Sequence, residues 1–180
     1  MSGTQKKRGD ASVKGFVVRI VPAELPDFRS AADLRAFCST VLIDGSPRGG
    51  STLRPAHRNL MQALCGFVHF FPPYRFRQNL GEVLLLLDEI DAPVTPDMSH
   101  MDYLMSEYSI WLGGDGVPKE AASVLTWWSD FRAQTARSEL AVPEARRVIG
   151  GAIRRFMRLY GFDPDDAVTV GCATDLICPR

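Results

Sequence analysis

The sequence predicts a mainly α-helical, single-domain bundle of about five or six helices with a short extended N-terminal segment. Three observations carry that prediction. Apolar residues recur at three- and four-residue spacing in successive blocks of the chain. Each block is bounded by helix-capping residues, prolines or glycines. Finally, 180 residues of which 46% are hydrophobic can bury one substantial core but not two comfortable ones. No period of about 20–50 residues repeats, so a solenoid is not expected.

Residues 1–14 are polar and basic and contain Gly and Ser, the composition of a mobile arm. "GFVVRIVP" reads as a strand or extended piece closed by Pro22 and Pro26. Ser30 as N-cap and Asp33 at the third helical position predict a helix over 31–42. "DGSPRGGST" is a loop. Pro55 then opens a helix whose stripe is Leu60, Leu64, Phe67, Val68 and Phe71, stopped by Pro72 and Pro73. In "YRFRQNLGEVLLLLDEIDA" a helical stripe of Phe76, Leu80, Val83, Leu84, Leu87 and Ile90 follows.

Thr95, Pro96 and Asp97 read as the cap and first turn of a helix with Met101, Leu104, Met105, Tyr108, Trp111 and Leu112 inward, ending at Gly113 and Gly114. Another helix starts near Pro118 and points Ala121, Val124, Leu125, Trp128 and Phe131 inward. The last covers 143–160 and stops at Gly161. The domain is thus expected over 15–163, with a tail over 164–180.

The charges cancel overall but are segregated along the chain. Residues 1–80 hold 12 Lys/Arg against 5 Asp/Glu, whereas residues 81–131 hold 1 against 10. Residues 132–160 are basic again, 7 against 2. Separate basic and acidic faces would suit a nucleic acid or head-to-tail self-association, unless folding mixes the charges again. Cys38 and Cys65 sit in apolar runs as small core residues, and the four cysteines show no zinc spacing. Cys172 and Cys178 could pair under oxidising conditions, but free thiols are expected. This usage suits a reduced, intracellular compartment, or a virion for a coat protein. The first residues have no apolar secretory core, and no apolar run reaches bilayer length, so no membrane partner is expected.

The densest signal lies in "EARRVIGGAIRRFMRLYGFDPDD". At about 100 degrees per residue, Val148, Ile149, Ala152, Ile153, Phe156, Leu159 and Tyr160 share one arc. Arg146, Arg147, Arg154 and Arg158 fall opposite, with Arg155 at the margin. Gly150 and Gly151 border the basic arc, where they serve either close approach of a partner or a kink. Guanidinium forks bind phosphate oxygens bidentately, so this face, with Lys6, Lys7, Arg8 and Lys14 of the arm, suits the phosphate backbone of RNA or DNA. The competing expectation is that these arginines pair with the acidic block of residues 82–107.

Two local resemblances accompany these patterns. "LLLLDEIDA" resembles the Walker B segment of AAA+ ATPases, which implies a magnesium role for Asp88 and water polarisation by Glu89. "GSPRGGST" can be laid on the matching phosphate loop through Gly45, Gly50, Ser51 and Thr52, but Ser51 stands where that loop needs Lys. The same stretch fits a helix stripe running into a solvated acidic end, which is the expectation adopted. "RLYGFDPDDAV" resembles a segment of the coat proteins of flexuous filamentous plant viruses. That likeness implies that Arg158, Phe162 and Asp163 support an RNA-binding core, although Pro164 interrupts the helical continuation expected there.

Elsewhere His57 reads as a helix-surface residue and His69 as core-edge, and no histidine has metal-ligand spacing. Trp127 is either exposed in a partner contact, as a stacking surface, or peripheral core. The sequence therefore predicts a non-enzymatic helical binding or assembly protein without cofactor or metal, of coat or nucleocapsid type in its most specific form. The alternative is a nucleotide-binding domain with a degenerate phosphate loop and Asp88/Glu89 as its acidic pair.

Overall fold

Side-chain capping marks the start of three of the helices. Ser30 accepts the Asp33 amide, Asn79 the Glu82 amide and Ser99 the Asp102 amide, each satisfying an N–H that the first turn leaves without a partner. A computed structural model describes residues 24–46, 53–137 and 141–162. They form α1 (Ala31–Asp44), α2 (Pro55–Phe70), α3 (Leu80–Asp88), β1 (Pro93–Thr95), β2 (Met98–Ser99), α4 (His100–Leu112), α5 (Ser123–Ala136) and α6 (Val142–Leu159). The fold is mainly α, as the apolar spacing predicts. The arm at 1–14, the "GFVVRIVP" segment, most of the loop at 44–52 and the tail at 164–180 lie outside the described residues.

Helix α2 is apolar on nearly every side, and a helix of that kind belongs inside. Leu60, Met61, Ala63, Leu64, Cys65, Phe67 and Val68 are all fully buried, and α1, α3, α5 and α6 pack around them. Gly66 allows the tightest of these contacts, because a Cβ there would stand 2.7 Å from the Val124 methyl of α5. Cys38 and Cys65 are buried core residues. Trp127 belongs to the same seam at 7% exposure, which removes it as an exposed stacking surface. Helix α4 joins through Tyr108, whose ring meets Phe67, Phe71 and Trp111 and whose hydroxyl donates to the Ala121 carbonyl at 2.9 Å.

Three expectations need correcting. Thr95, Pro96 and Asp97 do not open α4; they lie in a small hairpin that pairs Pro93 with Ser99 and Thr95 with Met98. Pro and Asp serve tight turns as readily as helix starts, and the cap falls on Ser99, whose hydroxyl also donates to the Asp102 carboxylate at 2.8 Å. Phe76 is 84% exposed and precedes α3. Its ring lies under the Arg75 guanidinium at 4.3 Å. On α6 the buried arc is rotated: Ala145, Gly150 and Met157 are covered, whereas Leu159 and Tyr160 are exposed, with no described element covering them. Among the described residues no helix is long and apolar enough to cross a membrane.

Candidate nucleic-acid interface

The five arginines of α6 divide into two groups. Arg146 reaches α3 and the turn behind it, donating from Nε to the Leu87 carbonyl at 3.2 Å and pairing with Asp91. Arg154 pairs with Asp88 at 3.5 Å. Gly150 lies between them and is buried against α3: a Cβ there would come within 3.6 Å of Leu87 Cδ2 and 2.9 Å of the Arg154 guanidinium. Its missing side chain therefore serves a contact inside the molecule. Gly151, with nothing within 4 Å of its would-be Cβ, faces open space.

The acidic turn after α3 is thereby occupied from several sides. Besides Asp88 and Asp91, Glu89 lies 3.0 Å from His100 Nδ1. "LLLLD" ends a helix, not a strand, and Asp88 faces a guanidinium. Gly50, Ser51 and Thr52 of the phosphate-loop alignment lie outside the described residues. Among the described residues no three His, Cys, Asp or Glu side chains come together as a metal-ligand set.

Arg147, Arg155 and Arg158 are exposed and make no ion pair with any described residue. They share one side of α6, away from the arc that packs on α1, α2 and α3. Their backbone is held at one end by Pro143 in the first turn. At the other end Gly161, at φ +79°, allows the Phe162 amide to bond back to Met157 at 2.9 Å. Lys6, Lys7, Arg8, Lys14 and Asp163 lie outside the described residues.

Two features of this region were not legible as such in the sequence. His57, expected on a helix surface, is 1% exposed. Its Nδ1 accepts the Arg54 amide at 3.1 Å at the start of α2, so the ring proton sits on Nε2, which is buried without a hydrogen-bond partner among the described residues. Burial pushes its pKa below the ordinary value; nearby Glu144 opposes that, while Arg54 and Arg147 add to it. The only sequence signal was a histidine at the third position of a helix whose N-cap cannot cap with its own side chain. The second feature is a groove of about 450 Å³ at the C-terminal ends of α1 and α6, lined by Ile43, Asp44, Ser46, Leu159 and Tyr160. Its walls come from segments more than a hundred residues apart, a pairing no local pattern encodes.

No protein-family model, curated protein or solved structure matches the chain.

Proposed function

We propose that the protein is a non-enzymatic helical binding and assembly subunit that holds the phosphate backbone of RNA or DNA along the outer side of α6. Arg147, Arg155 and Arg158 are its phosphate contacts, joined by Lys6, Lys7 and Arg8 of the N-terminal segment. The observation that carries the reading is the division of the arginines: two are taken up by Asp88 and Asp91, while three on the outer side have no carboxylate partner among the described residues. Three like charges on one helix side repel one another, and a polyanion relieves that repulsion while releasing its own counterions. Guanidinium suits this role because it stays charged and grips phosphate oxygens in pairs. The most specific form of the reading is a self-associating coat or nucleocapsid-type subunit. Asp88 and Glu89 as a magnesium-nucleotide pair are the weaker alternative, since both carboxylates are engaged by Arg154 and His100.

The test is a salt titration of oligonucleotide binding by fluorescence anisotropy. Arg155→Ala with Arg158→Ala should weaken binding and flatten the slope of log affinity against log salt by about 0.7 for each lost contact on a single strand. Arg146→Ala, whose guanidinium is occupied by Asp91, should change the slope by less. An unchanged affinity and slope in the Arg155/Arg158 variant would overturn the reading.

A further inference from the structure

We propose that the groove at the ends of α1 and α6 receives an unstacked base, which makes single-stranded polynucleotide the ligand of this surface. The inference rests on the phosphate reading of α6 and specifies its substrate class. Arg155 and Arg158 lead along the helix directly to Leu159 and Tyr160, which are 67% and 58% exposed, with Ile43 at 65% across the groove. At about 450 Å³ the groove falls in the range of about 300–1,000 Å³ typical of small-molecule sites.

Its chemistry separates a base from a phosphate. The charged member of its described lining is Asp44, beside the Ser46 and Tyr160 hydroxyls, with no Lys or Arg. A carboxylate repels phosphate but accepts hydrogen bonds from the amino groups of bases. The cations that phosphate needs are on the adjoining turn of α6, where Arg155 precedes Leu159 by one helical turn and Arg158 by one residue. Tyr160 is also held ready for stacking. Its ring packs on Phe156 at 4.6 Å, Phe156 meets Phe37 at 6.3 Å, and Phe37 meets the buried Phe28 at 5.4 Å, so an aromatic row runs from the core to the surface. The Tyr160 amide bonds to the Phe156 and Met157 carbonyls, which anchors the backbone beneath the ring. A planar base laid on an exposed aromatic whose position is already fixed loses little in ordering. In a duplex every base is stacked and paired, so the same contact would require flipping one out.

The experiment compares a fluorescein-labelled mixed-sequence single strand with the duplex it forms with its complement, at one salt concentration, for the full chain and two variants. The unaltered chain should prefer the single strand. Tyr160→Ala should lose roughly 5- to 100-fold in single-strand affinity with little change for the duplex, while Tyr160→Phe, which keeps the ring, should bind as the original does. Because Tyr160 is exposed, the variants are expected to fold, and unchanged circular dichroism checks that. Binding that depends on Arg155 and Arg158 but is indifferent to Tyr160→Ala would overturn the groove and leave the phosphate reading standing. Absence of any arginine-dependent binding would overturn the phosphate reading, and the groove proposal with it.

Discussion

Gly45 and Gly151 should respond to the same substitution with opposite signs. In a helix, alanine is favoured over glycine by about 1 kcal/mol, because it loses less backbone freedom on folding. At Gly151, where a Cβ would meet nothing within 4 Å, that gain should be realised, raising the melting temperature by about 2–4 °C for a chain of this size. Gly45, the C-cap of α1, has φ −78°, a backbone any residue adopts, so conformation gives no ground for a loss. Its surroundings do. A Cβ there would stand 2.0 Å from the Ala152 carbonyl oxygen, 2.6 Å from its carbon and 2.7 Å from the Val41 oxygen. All three are backbone atoms, which cannot rotate aside, so α1 and α6 must separate. Overpacking of this kind costs about 1–3 kcal/mol, and forced backbone movement puts Gly45→Ala at the upper end. The melting temperature should then fall by about 6–12 °C. Urea unfolding followed by circular dichroism, with the slope compared between variants, measures both effects. A Gly45→Ala protein as stable as the original would refute the close approach of α1 to α6, whatever the behaviour of Gly151→Ala.

Two further outcomes follow from buried polar groups. Burial lowers the pKa of His57 and of His69, so the unfolded chain binds protons more readily than the folded one. Stability is therefore fully present above about pH 6.5, the ordinary histidine value, and falls as pH drops through it toward the lower folded values. His57→Gln keeps an acceptor for the Arg54 amide without titrating, and should flatten the pH dependence of the unfolding midpoint between neutral and mildly acid pH; an unaltered profile would remove His57 as its source. Tyr108→Phe deletes the hydroxyl that donates to the Ala121 carbonyl inside the core and should cost about 1 kcal/mol at constant denaturant slope; an equal or higher midpoint would show that this bond contributes nothing.

The arginine face shows how far local pattern reaches. That 143–160 is a helix with one basic side follows from spacing alone, because side-chain direction on a helix is fixed by residue number. Which guanidiniums stay free does not, since Arg146 and Arg154 are taken up by carboxylates 55 and 66 positions earlier in the chain. Leu159 and Tyr160 belong to the apolar arc by angle yet are exposed, because burial requires another element to cover them. The Pro96–Asp97 turn is ambiguous in sequence for a related reason: Thr, Pro and Asp carry the same signature at a helix start and in a hairpin, and only the pairing of Pro93 with Ser99 distinguishes the two.

The sequence by itself determined the helical class, the central apolar helix at Pro55–Phe70, the caps at Ser30 and Gly113 and the stop at Gly161, all of which depend on interactions within a few residues. The tertiary structure alone decided the burial of His57 and Trp127, the clasp between α6 and the acidic turn, and the groove that joins Ile43 to Tyr160. Those features depend on which surfaces meet across long separations, where the free energy comes from mutual exclusion of water and the pairing of charges, not from the preference of any residue for its own backbone.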